Sequence, residues 1–127
     1  MRSEECMGNS IVKEKSLQFA KRILKLFRHL TECKKEFVLS KQVLRSGTSV
    51  GANITEAECA ISKKEFLVKM QITFKECAET LFWLELLESD GYISAKEYES
   101  LKEDCDEIRR ILSAITKSTK SNINSSP

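Results

Sequence analysis

The scarcity of glycine and proline most limits what this 127-residue chain can fold into. The single proline is the last residue, and none of the four glycines lies between Ala52 and Asp90. Because glycine and proline punctuate turns, such a stretch favours long helices over a turn-rich sheet. The length corresponds to one domain that can bury a core without disulfide or metal staples.

Apolar periodicity and capping motifs predict four helices. The first extends from about Ser10 to Thr31, and the second from about Glu36 to Cys59. A Ser-x-x-Glu capping box opens each of the last two helices, at Ser62 and at Ser94. In the fourth helix, apolar residues from Tyr98 to Ile115 alternate spacings of three and four, which is a heptad seam.

Four helices joined by short connections predict an all-α fold, an antiparallel up-down-up-down four-helix bundle. We assign residues 10–116 to this bundle. Residues 1–9 are expected to be a flexible N-terminus, and residues 117–127 a flexible tail rich in serine and lysine.

The third helix carries more apolar surface than one core requires. One apolar side suffices for a bundle helix, yet a second set lies roughly opposite it: Val68, Ile72, Trp83 and Leu86. Exposed apolar patches that include tryptophan are typical of protein interfaces. We therefore predict a homo-oligomer interface here, with the alternative that the fourth helix or the tail covers this surface.

Small residues dominate the middle of the second helix. Gly47 and Gly51 share a face, so another helix backbone can approach closely there. Asn53 and Glu56 lie in the same stretch. We interpret them as a structural polar lock that fixes helix register, as a buried asparagine does in coiled coils. The alternative is a ligand or recognition site.

The formal net charge of +2 conceals an uneven distribution. Ten basic and three acidic residues lie between Ile11 and Arg45, whereas six basic and fourteen acidic residues lie between Ile54 and Glu107. A strip of neighbouring basic side chains on the first helix suits a phosphate backbone. The candidate nucleic-acid-binding residues are Lys21, Arg22, Lys25, Arg28 and Arg45. The alternative is a solvated face, or one that pairs with acidic helices of a neighbouring subunit.

No motif for catalysis, metal binding or membrane insertion is present. His29 is the single histidine, and Arg22 shares its helical face, so a helical ribonuclease using both is a remote hypothesis. The five cysteines are widely spaced and odd in number, which argues against a disulfide framework and a zinc site. We expect no enzyme activity, no cofactor, no membrane partner and a cytoplasmic location.

Three blocks of sequence resemble one known family. They are Arg45–Glu56 (Arg-Ser-Gly-Thr-Ser-Val-Gly-Ala-Asn-Ile-Thr-Glu), Ser62–Phe66 and Lys75–Leu84. The chain resembles the bacterial four helix bundle proteins, also called 23S rRNA-intervening sequence proteins. The resemblance extends from Leu17 to Ile115. Some members are encoded inside intervening sequences of large-subunit rRNA genes. Ala57 stands where relatives often have glycine, which lets the second helix continue slightly further.

This resemblance implies an antiparallel four-helix bundle that often assembles into a ring, typically a pentamer. It implies no agreed catalytic activity. The related accessory variability determinant proteins of diversity-generating retroelements form such pentamers, and bind a reverse transcriptase and nucleic acid through basic surfaces. We therefore expect a non-catalytic scaffold or accessory protein that binds RNA or DNA, together with a nucleic-acid-processing protein. The competing hypothesis is a protein-binding module without nucleic-acid binding.

Overall fold

The computed structural model describes the backbone of residues 4–124 and the side chains of residues 11–122. This part of the chain forms four α-helices and no strands, which confirms the all-α prediction. The helices are α1 (Glu4–Glu32), α2 (Leu39–Glu58), α3 (Lys63–Ser89) and α4 (Ala95–Asn124). Our expectations for residues 1–3 and 125–127 lie outside the described residues.

Each helix packs against the next one along the chain, and α4 returns to pack against α1. The order of the α1–α4 contacts gives their relative direction. Lys15 forms an ion pair with Glu107. Arg22, later in α1, forms one with Asp104, which is earlier in α4. The two helices are therefore antiparallel, and α1 lies diagonally across the bundle from α3, with which it makes no helix packing.

The core extends along the whole bundle. Its largest fully buried side chains come from all four helices: Phe19, Ile23, Leu30, Ile54, Met70, Leu84, Leu87, Leu101, Ile108 and Leu112. Cys77 and Cys105 are also fully buried and form no disulfide. Burial raises the pKa of the Cys77 thiol to about 12, so this thiol stays protonated and packs as a small apolar group.

Both predicted capping boxes supply their serine cap. The Ser62 hydroxyl accepts a hydrogen bond from the Glu65 backbone N–H at 3.1 Å. The Ser94 hydroxyl accepts one from the Glu97 N–H at 3.0 Å. Between these helices Gly91 adopts a φ of 81°, in the left-handed region that glycine occupies without a Cβ clash.

The first and last helices, α1 and α4, are longer than the sequence pattern indicated. The first begins at Glu4 rather than Ser10, and α4 continues through Asn124 rather than ending near Thr116. Thr119 explains the extension of α4, because it lies four residues beyond Ile115 and continues the heptad seam. Its side chain is buried, and its hydroxyl donates to the Ile115 carbonyl at 2.9 Å. The predicted tail is therefore helical over residues 117–124.

The predicted close approach at the α2 glycines occurs, and α1 is the partner. A Cβ added to Gly47 would lie 2.8 Å from Cγ1 of Ile23, a distance that forces a shift. A Cβ added to Gly51 would lie 3.3 Å from the Ser16 hydroxyl, which is only a tight contact. The first glycine is therefore needed for α1–α2 packing more strictly than the second.

We expect Gly47→Ala to lower the free energy of unfolding by about 1 to 2 kcal/mol. Overpacking a core costs ~1–3 kcal/mol, and the better helix propensity of alanine returns up to ~1 kcal/mol. Gly51→Ala is the matched control, and we expect it to leave stability unchanged or slightly higher. Urea unfolding followed by circular dichroism measures both variants. A Gly47→Ala protein as stable as the control would contradict the packing argument.

The Glu36 side chain caps the start of α2, although Glu36 itself precedes the first helical residue, Leu39. Its carboxylate accepts hydrogen bonds from the backbone N–H groups of Val38, Leu39 and Ser40, at 3.2, 3.0 and 2.7 Å. Burial alone would raise the pKa of Glu36, but these hydrogen bonds together outweigh it and lower the pKa below its ordinary value. The charged carboxylate thus satisfies donors that no earlier helical carbonyl can accept from.

We expect Glu36→Gln to lower the free energy of unfolding by about 1 kcal/mol at neutral pH. Because the folded-state pKa of Glu36 is depressed, its contribution is present above the unfolded pKa and is lost as pH falls through the folded pKa. The difference between wild type and variant should therefore disappear in acid. Urea unfolding across this pH range tests it, with the exposed Glu103→Gln as control; a pH-independent difference would rule out the charged cap.

Candidate functional site

A basic strip on α1 contains three of the five residues predicted to bind nucleic acid. We define this strip as Lys21, Lys25 and Arg28, whose side chains are all exposed. Within the described part of the chain, none of the three has a hydrogen bond or ion pair to another side chain. Their charges are therefore available to a phosphate without breaking an existing contact.

Arg22 and Arg45, predicted for the same surface, are held in ion pairs instead. The Arg22 guanidinium lies 2.7 Å from a carboxylate oxygen of Asp104, which ties α1 to α4. Arg45 contacts Glu76 at 3.4 Å and forms a second ion pair with Glu79, which ties α2 to α3. Both arginines link helices, and neither belongs with the available charges of the strip.

Three further lysines extend the positive surface towards the connection between α1 and α2. Lys34 and Lys35 lie in that connection, and Lys41 lies in the first turn of α2. All three are exposed. These three lysines were not among the predicted site residues, because their closeness to α1 depends on the antiparallel turn. We call these lysines together with the strip the basic end; Glu32 is an exposed acid at the end of α1.

Arg22 and His29, the pair behind the ribonuclease hypothesis, line one shallow depression of about 330 Å³. Lys25, Leu26 and Glu97 line it as well. The Arg22 guanidinium also donates towards the Ser100 carbonyl at 3.4 Å, in addition to its ion pair. Because this guanidinium is already committed to α4, the geometry does not favour its use on a scissile phosphate.

The second apolar side of α3 faces away from the core. Val68, Phe82 and Leu86 are 53%, 53% and 38% exposed. Ile72 and Trp83 lie on the same side but are half-buried. We call these five residues the outer stripe. No described part of α4 covers it, so the alternative that the tail shields this surface does not hold for residues 117–122.

Trp83 is less exposed than we predicted for an interface residue, whereas Phe82, which was not predicted, is exposed. The indole packs against the core cluster, and its N–H donates to the Glu79 carboxylate at 2.9 Å. Phe82 meets it edge to face, with ring centroids 5.1 Å apart. Sequence reasoning missed Phe82 although the signal was present: it lies fourteen residues after Val68, close to four full turns.

The polar lock differs from the predicted one. The Asn53 amide donates to the carbonyl and hydroxyl of Ser49, both at 2.9 Å, so its described bonds stay within α2. Glu56 is exposed and accepts from Lys69 at 2.7 Å, a hydrogen bond that raises the pKa of Lys69. The buried link between helices is a hydrogen bond of 2.9 Å from the Thr80 hydroxyl to the Ser46 hydroxyl.

The Ser46–Thr80 pair is the better candidate for fixing register. Both side chains are fully buried, where an unpaired hydroxyl costs free energy. A shift of α2 along α3 would take from the Ser46 hydroxyl its described partner, whereas the Thr80 hydroxyl would keep the Glu76 carbonyl, to which it also donates at 2.7 Å. The sequence signal was the position of Ser46 between buried Val43 and Val50, on the core face of α2.

The described residues bring no three potential metal-ligating side chains together. Among the helices of the described part, none has a stretch apolar enough to cross a membrane.

Comparisons with known proteins agree with this architecture. The family model of the 23S rRNA-intervening sequence protein matches residues 8–114, and the chain belongs to this family. A protein of unknown function from Bacteroides thetaiotaomicron VPI-5482, of the S23 ribosomal protein family, has a similar crystal structure, with a TM-score of 0.86 and 51% sequence identity. That match covers 87% of this chain and 98% of the other. The search of curated proteins found no match.

Proposed function

We propose that this protein is a non-catalytic, homo-oligomeric helical scaffold that binds nucleic acid through its basic end. The observation that carries the proposal is a group of exposed cations, each without an ion pair in the described chain, in a region where basic residues outnumber acidic ones: Lys21, Lys25, Arg28, Lys34, Lys35 and Lys41. Other exposed cations, such as Lys63 and Lys96, are also unpaired in the described chain, but they lie in a region where acidic residues outnumber basic ones. Concentrating unpaired charge at one end suits a polyanion more than a merely solvated surface.

This binding would be electrostatic and tolerant of sequence. Flexible lysines carry charge to phosphates but have no fixed donor pattern for base edges. Affinity should therefore fall steeply as salt displaces the protein from the phosphate backbone. RNA and DNA remain equivalent on this surface, since both present the same phosphates.

Self-association would use the outer stripe. An interface between two identical surfaces stops at a dimer, so a closed ring needs a second surface to receive the stripe. Leu17 and Leu24 of α1, 48% and 39% exposed, are candidates for that second surface. The resemblance to ring-forming relatives supports a pentamer. The likeness to accessory proteins of retroelements supports a nucleic-acid-processing protein as a further partner. The location we propose is cytoplasmic.

We expect neutralising the strip, by changing Lys21, Lys25 and Arg28 to Gln, to weaken binding of a mixed-sequence oligonucleotide roughly tenfold or more at low salt. Losing up to three phosphate contacts should also reduce the slope of log affinity against log salt by about 2 to 3. Fluorescence anisotropy across a salt series measures both quantities.

The matched control for the strip changes three exposed lysines elsewhere to Gln: Lys63, Lys64 and Lys96. It removes the same charge, so it isolates position from net charge. If both triple variants lost the same affinity for the oligonucleotide, net charge alone would explain the effect. A changed oligomer mass in the strip variant would instead favour pairing of the strip with a neighbouring subunit.

We expect the double variant Phe82→Glu/Leu86→Glu to dissociate the oligomer into 14.5 kDa monomers, because charge on the outer stripe cannot be buried between copies. Light scattering after size exclusion gives the mass. Val38→Glu/Ile61→Glu, at positions 71% and 94% exposed and outside the stripe, is the control. A wild-type protein that is monomeric at every concentration would contradict the proposal.

The exposed outer stripe also supports one alternative function, a module whose stripe receives a different protein. Apolar interfaces respond little to moderate salt, whereas phosphate contacts respond steeply. A partner that stays bound at high salt, and that Phe82→Glu releases, would favour this alternative.

A further inference from the structure

A second basic feature lies outside the basic end, in a wide and shallow groove between α3 and α4. The groove has a volume of about 600 Å³. Its lining residues are Phe74, Asp106, Arg109, Arg110 and Ser113. Phe74 is half-buried and packs against the core, so the core fixes its ring as one wall of the groove. The other wall is the α4 surface that carries the two arginines.

Arg109 forms a loose ion pair with Asp106, but neither arginine of this groove donates a hydrogen bond to that acid. Asp106 accepts from the Lys102 ammonium at 3.0 Å, while the nearest Arg109 nitrogen is 3.9 Å from its other oxygen. A separation of 3.9 Å is too long for a hydrogen bond, so the Arg109 donors remain available. Arg110 is exposed and has no ion pair with another described residue. No acidic residue follows Glu107 in the sequence, so the positive potential persists along this half of α4.

We infer that this groove binds one nucleotide unit of a single-stranded nucleic acid, with its phosphate on Arg109 and Arg110 and its base against Phe74. Guanidinium forks match the geometry of phosphate oxygens. An aromatic wall beside them adds a surface on which a base can stack, which an inorganic anion would not use. This inference rests on the proposed nucleic-acid binding, and it names the form of nucleic acid that is preferred.

The preference for a single strand follows from access to the base. In a duplex each base is stacked between its neighbours and cannot lie against a side chain, whereas a single strand can turn a base outwards. The basic end, which offers only charge, should bind both forms. The groove should therefore add affinity for single strands alone.

The test compares a labelled single-stranded oligonucleotide with the duplex of the same sequence, by fluorescence anisotropy at one salt concentration. Arg110→Gln and Phe74→Leu should each weaken single-strand binding about tenfold, the scale of a lost base–aromatic stack or phosphate contact. Duplex binding should change by less than about twofold. Lys96→Gln, on the same helix but outside the groove lining, is the charge control. Circular dichroism verifies that the Phe74→Leu variant is folded. Because Arg110 is exposed, the Arg110→Gln variant tests the groove without disturbing core packing.

Ultraviolet crosslinking supplies an independent measurement. Trypsin should release the segment Met70–Lys75, which contains Phe74, and its mass should include one crosslinked nucleotide when the strand is single. The inference would be overturned if the groove variants bound single strands as tightly as wild type does. It would also be overturned if their affinities for single strands and for duplexes fell equally. Either result would leave the proposed function intact. A wild-type protein that binds neither form would overturn both.

Discussion

The rest of the structure depends on how closely α2 approaches its two neighbours. On one side Gly47 lies against Ile23 of α1, where even a single added carbon would come within 2.8 Å. On another side Ser46, its neighbour in sequence, shares a buried hydrogen bond with Thr80 of α3. Small and polar residues thus occupy core positions where larger apolar ones are usual. The α1–α2 distance and the α2–α3 register are set within the same turn, which limits how the remaining helices can be arranged.

That arrangement decides which charges remain available on the surface. Because α1 packs on α4 and α2 packs on α3, Arg22 finds Asp104 and Arg45 finds Glu79 as partners across the helix boundaries. The strip on α1 forms no ion pair with another described residue and keeps its charge. Since α1 and α3 are diagonal, the strip and the outer stripe lie on different sides of the bundle. The proposed nucleic-acid surface is therefore separate from the outer stripe, whereas Leu17 and Leu24, the proposed receiving surface, lie beside the strip on α1.

Sequence patterns predicted the helices well and the contacts between them only in part. Periodicity located α2 closely, and the serine caps located the starts of α3 and α4, since both signals are local. The end of α4 was misplaced because Thr119 continues an apolar seam with a polar residue. The partner of Asn53 could not be predicted for a related reason: periodicity gives the face of a helix, but not whether an amide bonds its own helix or another one. Ion pairing of Arg22 was equally invisible, because its partner is 82 residues away.

Family membership constrains the fold more than the function. The Bacteroides relative shares 51% of its sequence and the same architecture, yet its own function is unknown, so it transfers no role. What distinguishes one bundle from another is the chemistry on its outside. Here the two regions with available cations differ in kind: the basic end presents mainly flexible lysines, whereas the α3–α4 groove presents arginines beside a fixed aromatic ring. Lysines alone suit any polyanion, but a rigid ring with guanidinium groups can discriminate between forms of nucleic acid. Any selectivity of this protein should therefore depend on the groove rather than on the more highly charged end.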